Sequence, residues 1–165
     1  MKEFLKDVIV VIVVAVLISV LIKPIIVKGS SMYPTLEDGD YLLVSRQAYN
    51  IGEPDRGDIV VFPHVEGNGD EVLYIKRVIG VPGDHVEIED GEVYINGVMQ
   101  DEEYINCDFT DGDVDCVVPD EEIYVLGDNR GNSSDSRFFG TVETEEVVGT
   151  AFIRLYPFNK IGLLG

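Results

Sequence analysis

A long apolar run near the N-terminus is the strongest constraint on what this chain can fold into. Residues 8–22 carry no charge, and Ser19 is their one polar side chain. Counted on through Val27, the run spans 20 residues. A helix of that length is about 30 Å long, which matches the hydrocarbon core of a bilayer. We expect a single transmembrane helix at about residues 8–27, so that residues 1–27 form a membrane anchor.

Two other interpretations of this run have less support. A helix buried in a soluble domain normally has one polar face, and residues 8–22 show none. A cleaved secretory signal ends in small residues of the A-x-A type, whereas the run continues as KPIIVKG. Lysines flank both ends of the run, so the positive-inside rule does not decide its orientation.

The rest of the chain is strongly acidic. Of the 12 basic and 31 acidic residues, four and two respectively precede residue 31, so residues 31–165 carry a net charge of −21. Such a surface repels the phosphates of nucleic acids, which excludes a nucleic-acid partner. It also repels anionic lipid headgroups, so we expect the domain to stand off the bilayer surface.

After residue 30 the pattern changes to short β-type runs separated by turn signals such as Asp90-Gly91 and Asn96-Gly97. No amphipathic helix of a dozen residues follows the apolar run. The sequence therefore predicts one mainly β domain over residues 28–165. Strands are expected at residues 41–44, 58–62, 72–81, 85–88, 92–95, 122–126 and 147–155.

Cys107 and Cys116 flank an Asp111-Gly112 pair, which is typical of a two-residue type I′ hairpin turn. In that hairpin the cysteines lie opposite each other on a rung where the Cα atoms are about 4.5 Å apart, within the disulfide range. Asp108 would then face Asp115, and like charges across a rung repel. Two alternatives stay open, a Cys107–Cys116 disulfide in an oxidising compartment and a pair of free thiols.

The same acidic segment has part of the spacing of a calcium loop. Asp111, Asp113, Asp115 and Glu122 occupy positions 1, 3, 5 and 12 of an EF-hand-like pattern. The glycine required at position 6 is replaced by Cys116, and no helices flank the segment. We therefore expect neither a metal nor a cofactor.

The segment KGSSMYPTL places Ser30 and Ser31 directly after the apolar run. A serine nucleophile needs a base to take its proton. The two histidines, His64 and His85, lie at turn edges with no motif around them, so a histidine base has weak support.

Lys76 is the alternative base. It lies in VLYIKRVIGV, where strand alternation places it on one face with Val72, Tyr74 and Val78. Burial among apolar neighbours disfavours the ammonium form and lowers the pKa of a lysine, which can then act as a general base. The strand alone leaves open the simpler interpretation that Lys76 reaches past a half-buried face to solvent.

Four segments, in this order, resemble the sequence boxes of bacterial type I signal peptidase. They are KGSSMYPTL (28–36), RGDIVVF (56–62), YIKRVIGVPGD (74–84) and GDNRGNSSDSRFFG (127–140). The compact domain is similar to the short forms of Gram-positive members. The resemblance implies a mainly β fold, with an antiparallel β domain preceded by one N-terminal transmembrane helix, and a Ser/Lys peptidase mechanism.

The resemblance also implies roles for individual residues. Ser31 matches the nucleophile, Lys76 the general base, and Ser133 the serine that hydrogen-bonds and orients the lysine. The residues that match supporting charged pairs are Asp135 with Arg137 and Asp128 with Arg77. Those that match the lining of pockets for small substrate side chains are Val27, Met32, Leu36, Tyr74 and Ile75.

One position departs from part of the family. Some relatives carry a serine two residues before the nucleophile, whose hydroxyl helps to bind the oxyanion, and here that position is Gly29. We expect the backbone N–H of Ser31 to form the oxyanion hole, with the Gly29 backbone or a water molecule as a second contributor.

These features indicate a membrane-bound serine endopeptidase that removes N-terminal signal peptides after Ala-x-Ala-type sites. Its expected partners are preprotein signal peptides and the lipid bilayer, with the catalytic domain on the extracytoplasmic face of the cell membrane and a monomer as the default state. A self-cleaving Ser/Lys protease similar to DNA-damage repressors is one alternative, against which the anchor and the charge argue. A non-catalytic anchored domain for adhesion or assembly is the other, and it gives no reason for Ser31, Lys76 and Ser133 to converge.

Overall fold

Helix α1 (Lys2–Leu21) opens the fold. The computed structural model describes residues 2–46, 52–107 and 109–164. Within these ranges, α1 is the one helix that is long and apolar enough to cross a membrane. Its described side chains are exposed, so they do not contribute to the core of the β domain.

The prediction that this helix continues to Val27 is wrong. The helix ends at Leu21, and strand β1 (Ile22–Ile26) follows at once, antiparallel to strand β2 (Tyr41–Ser45). Pro24 contributes to the change, because proline disfavours the helical conformation of the residue before it. The chain thus passes from the apolar helix into the β domain without a linker.

The strands expected from the sequence are all present, within a few residues of their predicted ends. The remaining strands are β3 (Ile59–Val65), β4 (Glu71–Gly80), β5 (His85–Glu89), β6 (Glu92–Ile95), β7 (Val98–Met99), β8 (Val114–Val117), β9 (Glu122–Leu126), β10 (Val142–Glu143), β11 (Gly149–Tyr156) and β12 (Gly162–Leu163). A short helix, α2 (Ser136–Phe139), and 3₁₀ turns at Arg130–Asn132, Thr144–Glu146 and Phe158–Lys160 complete the elements of the described ranges.

The strands form two antiparallel sheets. Among the described residues, the large sheet has the order β1-β2-β11-β3-β4-β9-β10, with β12 beside β11, and the small sheet has the order β7-β6-β5-β8. The mainly β, antiparallel architecture expected from the sequence is thereby confirmed.

Strand β3 is buried on both of its faces at the centre of the large sheet. Ile59 and Val61 pack into one apolar cluster, whereas Val60 and Phe62 pack into another on the opposite side. Burial on two faces explains why this stretch is apolar without alternation.

Strand β4 leaves part of one edge unpaired. Residues 71–77 pair with β3, but β9 pairs only with residues 77–80. In the described part of the chain, the backbone of residues 71–76 therefore has no strand neighbour on its second side. The outer edge of β1, at the end of the large sheet, is also unpaired there.

Among the described residues, the hairpin expected at Asp111-Gly112 does not form, and the expected Asp108–Asp115 pair lies partly outside them. Strand β8 pairs instead with β5, which places Cys116 opposite Val86, because Val114 and Cys116 pack against the apolar cluster of the small sheet. Cys107 and Cys116 are both free thiols in the structure. Of the two alternatives left open by the sequence, it therefore contains the free thiols and not the disulfide.

Replacement of Gly80 by alanine is expected to destabilise the junction between the two sheets. The added Cβ would lie 2.5 Å from Val86 Cγ2 and 3.0 Å from Val118 Cγ2, and such overpacking costs about 1–3 kcal/mol. Denaturant unfolding followed by circular dichroism measures the change in the free energy of unfolding. Gly67→Ala is the matched control because its Cβ meets nothing within 4 Å. Equal stability of the two variants would contradict the prediction.

Candidate active site

Ser31 lies in the turn that follows β1. The side chains of Val27, Met32 and Leu36, on either side of it in the sequence, are buried in one apolar cluster together with Ile75. These apolar contacts hold the backbone before and after the serine. Ser31 itself stays partly exposed, as the predicted role of a nucleophile requires.

Lys76 reaches Ser31 from the middle of β4. Its Nζ lies 2.8 Å from Ser31 Oγ and 3.1 Å from the carbonyl oxygen of Ile75. It also lies 4.7 Å from the centre of the Tyr74 ring. The structure thus brings the two residues expected to act as nucleophile and base within hydrogen-bond distance.

Burial governs the protonation state of this amine. Lys76 is 2% exposed. The loss of solvation lowers the pKa of Lys76 to about 8, although the carboxylates of Asp135 and Asp128 partly oppose this effect. The neutral form, which alone can accept a proton from Ser31, is therefore populated near neutral pH.

Arginines hold both of these carboxylates. Arg77 donates from Nε and Nη2 to Asp128 at 2.9 and 2.8 Å. Arg137 donates from Nε and Nη2 to Asp135 at 2.8 and 2.9 Å. The side chains of both pairs are buried, so each predicted pair is present and each compensates a carboxylate that would otherwise be unpaired beside Lys76.

Two asparagines in the turn that follows β9 form hydrogen bonds to Ser30 and Ser31. The sequence interpretation assigned no role to these asparagines. Asn129 donates from its backbone N–H to the Ser31 carbonyl oxygen at 3.0 Å, and from Nδ2 to the Ser30 carbonyl oxygen at 3.0 Å. Asn132 donates from Nδ2 to Ser30 Oγ at 2.8 Å. The signal available in the sequence was their place in GDNRGNSSDSRFFG, directly beside the candidate residues.

Gly127, which opens that segment, is a second residue that the sequence interpretation missed. A Cβ at this position would lie 2.5 Å from the Ser31 carbonyl oxygen and would also overlap the side chain of Ser133. The close approach of the two chain segments therefore requires glycine.

Ser133 does not make the predicted hydrogen bond to Lys76. Its Oγ is buried and has no hydrogen-bond partner among the described residues. The side chain lies against Gly127, whereas Lys76 Nζ is bonded to Ser31 and to the Ile75 carbonyl. The structure therefore places the Ser133 side chain beside Gly127, without a hydrogen bond to the Lys76 amine among the described residues.

Gly29 adopts a left-handed conformation with φ of +84°, which favours glycine over any other residue. Its N–H donates to Asp38 Oδ1 at 2.8 Å. The expectation that the Gly29 backbone contributes an oxyanion donor is therefore wrong for this N–H, because it already has an acceptor. The Ser31 N–H and a water molecule are the contributors that remain from that prediction.

A cleft of about 700 Å³ leads to Ser31 and Lys76. It runs between residues 25–32 and residues 71–76, the latter along the unpaired edge of β4. Of the residues expected to line substrate pockets, Val27, Met32, Tyr74 and Ile75 line this cleft. Leu36 does not, because it is fully buried in the core.

The two histidines lie in other environments. His64 stacks on Tyr74 with ring centres 4.6 Å apart, and His85 Nε2 lies 2.7 Å from Asp115 Oδ1 in the small sheet. Neither forms a hydrogen bond to Ser31 in the described ranges, so Lys76 is the base that the geometry supports.

Sequence relatives identify the family. The model of the signal peptidase family, peptidase S26, matches residues 1–156. The chain is 43% identical over 143 residues to "Probable signal peptidase I-2" of Synechocystis sp., 42% over 150 residues to "Signal peptidase I S" of Bacillus subtilis, and 39% over 157 residues to "Signal peptidase IB" of Staphylococcus aureus. Each match covers 84% of this chain, and the chain spans 65%, 79% and 80% of the three relatives.

A solved structure shares the fold. The crystal structure of a signal peptidase I from Enterococcus faecalis aligns with a TM-score of 0.50 at 38% identity, over 61% of this chain and 97% of that chain. Sequence and fold agree, and the chain belongs to the signal peptidase family, peptidase S26.

Proposed function

We propose that this chain is a membrane-bound serine endopeptidase that removes N-terminal signal peptides from secreted preproteins, cutting after small residues of the Ala-x-Ala type. The observation that carries the proposal is the 2.8 Å separation of Ser31 Oγ and Lys76 Nζ in a member of the signal peptidase family. A non-catalytic domain gives no reason to bury an amine against a hydroxyl, because burial of an ionisable group without a paired charge is unfavourable.

The first half of the proposed reaction forms an acyl-enzyme. Ser31 Oγ attacks the scissile carbonyl carbon while neutral Lys76 takes the hydroxyl proton. The carbon–nitrogen bond then breaks, and the leaving amine takes that proton from Lys76. The mature protein departs with a free amino group, and the signal peptide remains as an ester on Ser31.

The second half regenerates the enzyme. Lys76, neutral again, takes a proton from a water molecule whose oxygen attacks the ester carbon. The ester bond to Ser31 breaks, and the proton held by Lys76 returns to the serine oxygen. The signal peptide leaves with a carboxylate at its new C-terminus.

Polar groups around the pair have distinct proposed roles. The Ser31 N–H stabilises the oxyanion, since the Gly29 N–H is bonded to Asp38. Ser133 Oγ is buried and has no hydrogen-bond partner in the described ranges. Its proposed role, to orient the amine during proton transfer, requires it to bond to Lys76 Nζ when that atom leaves Ser31 Oγ. A hydroxyl suits this role because, unlike a carboxylate, it does not favour the ammonium form of Lys76.

The cleft suits an extended peptide. Backbone edges of β1 and β4 that have no strand neighbour in the described ranges border it. An added strand gains main-chain hydrogen bonds there that do not depend on its sequence. The proposed preference for small side chains comes from shallow pockets lined by Val27, Met32, Tyr74 and Ile75.

The bilayer is the second proposed partner. Helix α1 is apolar and exposed, and a buried position in the β domain does not account for it. We propose that it anchors the chain as a single pass and that the catalytic domain lies on the extracytoplasmic face, where translocated preproteins emerge. A monomer is the working state.

Ser31→Ala and Lys76→Ala are each expected to lower kcat/KM for a peptide with an Ala-x-Ala site by about 10³-fold or more, because each removes half of the proton-transfer pair. The measurement uses the detergent-solubilised full chain, with products identified by mass spectrometry. Full activity in either variant, with the fold intact, would rule out this pair as the catalytic groups.

Ser30→Ala and Lys160→Ala are the matched controls for these variants. Ser30→Ala removes a side-chain contact with Asn132, and Lys160→Ala removes an ion pair with Glu37. The Ser30 contact is exposed and the Lys160–Glu37 pair is partly exposed. Such contacts contribute little, so each control should keep kcat/KM within about fivefold of the unmodified chain.

The proposed base predicts a rate that rises with pH. Because burial lowers the pKa of Lys76 to about 8, the amine is protonated and inactive below that pH and neutral above it. We expect kcat/KM to fall about tenfold per pH unit below the pKa and to level off above it. A pH–rate profile measured at low substrate concentration checks this, and a rate independent of pH across that range contradicts it.

Deletion of residues 2–21 is expected to release the protein from the membrane with its β domain folded. Strand β1 begins at Ile22, so the deletion leaves the pairing of β1 with β2 in place. The full chain should stay in the membrane pellet after an alkaline wash, and the truncated chain should appear in the supernatant with a β-type circular dichroism spectrum. Recovery of the full chain in the supernatant would argue against anchoring by α1.

A further inference from the structure

We propose that Glu102 is a positioning residue for the reaction at Ser31, acting through Arg130 and Gly127. The inference rests on the proposed peptidase activity. It gives a role to the described part of the segment between β7 and β8, residues 100–107 and 109–113, which belongs to none of the segments that resemble the family's boxes.

The segment leaves the small sheet and lies against the arginines of the site. Arg130 donates from Nη1 to Thr110 Oγ1 at 2.6 Å, and Arg137 donates from Nη1 to the Asp111 carbonyl oxygen at 3.0 Å. The ring of Tyr104 lies over Arg77, with 4.1 Å from its centre to Cζ. The segment therefore contacts Arg77, Arg130 and Arg137.

Glu102 makes the strongest of these contacts. Arg130 donates from Nη1 and Nη2 to its two carboxylate oxygens at 2.8 and 2.7 Å. The side chains of Arg130 and Glu102 are 0% and 7% exposed, so water does not compete for either group. Tyr104 Oη donates to the same carboxylate at 2.7 Å. A two-point contact of this kind fixes the orientation of the guanidinium as well as its position.

Arg130 passes this constraint to the nucleophile. Its Nε donates to the Gly127 carbonyl oxygen at 3.0 Å. Gly127 is in such close contact with Ser31 that an added Cβ would lie 2.5 Å from the Ser31 carbonyl oxygen. Asn129 lies between Gly127 and Arg130 in the turn, and its N–H donates to the Ser31 carbonyl oxygen at 3.0 Å. A shift of Arg130 therefore displaces the backbone that supports Ser31.

Loss of the Glu102 charge leaves a buried guanidinium without its anion, and Arg130 must then move or gain solvent. A displacement on the order of 1 Å at a reacting atom can lower a rate about 10²-fold. Glu102 does not line the cleft. The effect is therefore expected on kcat and not on KM, which distinguishes positioning from substrate binding.

The test compares Glu102→Gln with the unmodified full chain in detergent, using a peptide with an Ala-x-Ala site. Glutamine keeps the size of the side chain and one acceptor but removes the charge. We expect kcat per folded molecule to fall roughly 10- to 100-fold, with KM changed less than about twofold. The folded fraction is measured by circular dichroism and thermal unfolding of the same samples.

Glu103→Gln is the matched control, since Glu103 is an exposed carboxylate next in the sequence, and it should behave as the unmodified chain. The proposal is overturned if kcat per folded molecule of Glu102→Gln is unchanged, if activity falls only in proportion to the folded fraction, or if KM alone rises. An unmodified chain that does not cleave overturns the proposed function and this inference together, whereas cleavage with an unaffected Glu102→Gln overturns this inference alone.

Tyr104→Phe covers the case in which Glu102→Gln does not fold. It removes the hydroxyl that donates to Glu102 and keeps the ring over Arg77. A fall in kcat of about two- to fivefold at constant KM supports the proposal, because one hydrogen bond to a charged group is lost. An unchanged kcat overturns it.

Discussion

Lowering the pKa of one buried lysine in a chain with 31 acidic residues is the constraint on which the site depends. Desolvation lowers the pKa of Lys76, but a nearby free carboxylate would reverse the effect. Asp128 and Asp135 are the carboxylates that act on it most, and each is bonded at two points by its own arginine. The arginines thus do more than stabilise the fold: they limit how far two buried anions can raise the basicity of the amine.

The strands that carry the site could be predicted from local patterns because alternation and turn residues are local. The five residues of β1 could not be predicted as a strand in this way. Isoleucines beside a proline suit the end of a lipid-embedded helix and an edge strand equally well. Pairing with β2, some twenty residues later in the sequence, decides between the two. The predicted hairpin at the cysteines failed for a related reason, because the small sheet offered Val114 and Cys116 an apolar surface that the local turn signal does not reveal.

The resemblance to a family located Ser31, Lys76 and the two ion pairs, since these residues lie in recognisable segments. It did not locate the residues that hold the segments together. Gly127 and Asn129 approach Ser31 from about 100 positions away in the sequence, and Glu102 lies in a segment without periodicity. Their contacts follow from the tertiary structure, although Gly127 and Asn129 lie in one of the recognised segments. A residue can also match a motif while its hydrogen bonds differ from those expected. Ser133 Oγ has no hydrogen-bond partner in the described ranges, and the Gly29 N–H is bonded to Asp38.

Because β1 follows α1 directly, the length of chain between the apolar helix and Ser31 is fixed. The Leu21 carbonyl, the last of the helix, already accepts a hydrogen bond from Arg46 N–H at 2.9 Å, so sheet pairing begins where the apolar helix ends. From there to Ser31 is ten residues, at most about 35 Å of chain, and pairing with β2 prevents the first half of it from changing length. If α1 lies in the bilayer, the paired strand β1 fixes the height of Ser31 above the membrane surface, because no flexible linker separates the helix from the sheet. Consider a substrate peptide whose own apolar segment lies in the same bilayer. The number of its residues between that segment and the scissile bond then decides whether the bond reaches Ser31, in addition to the size of its side chains.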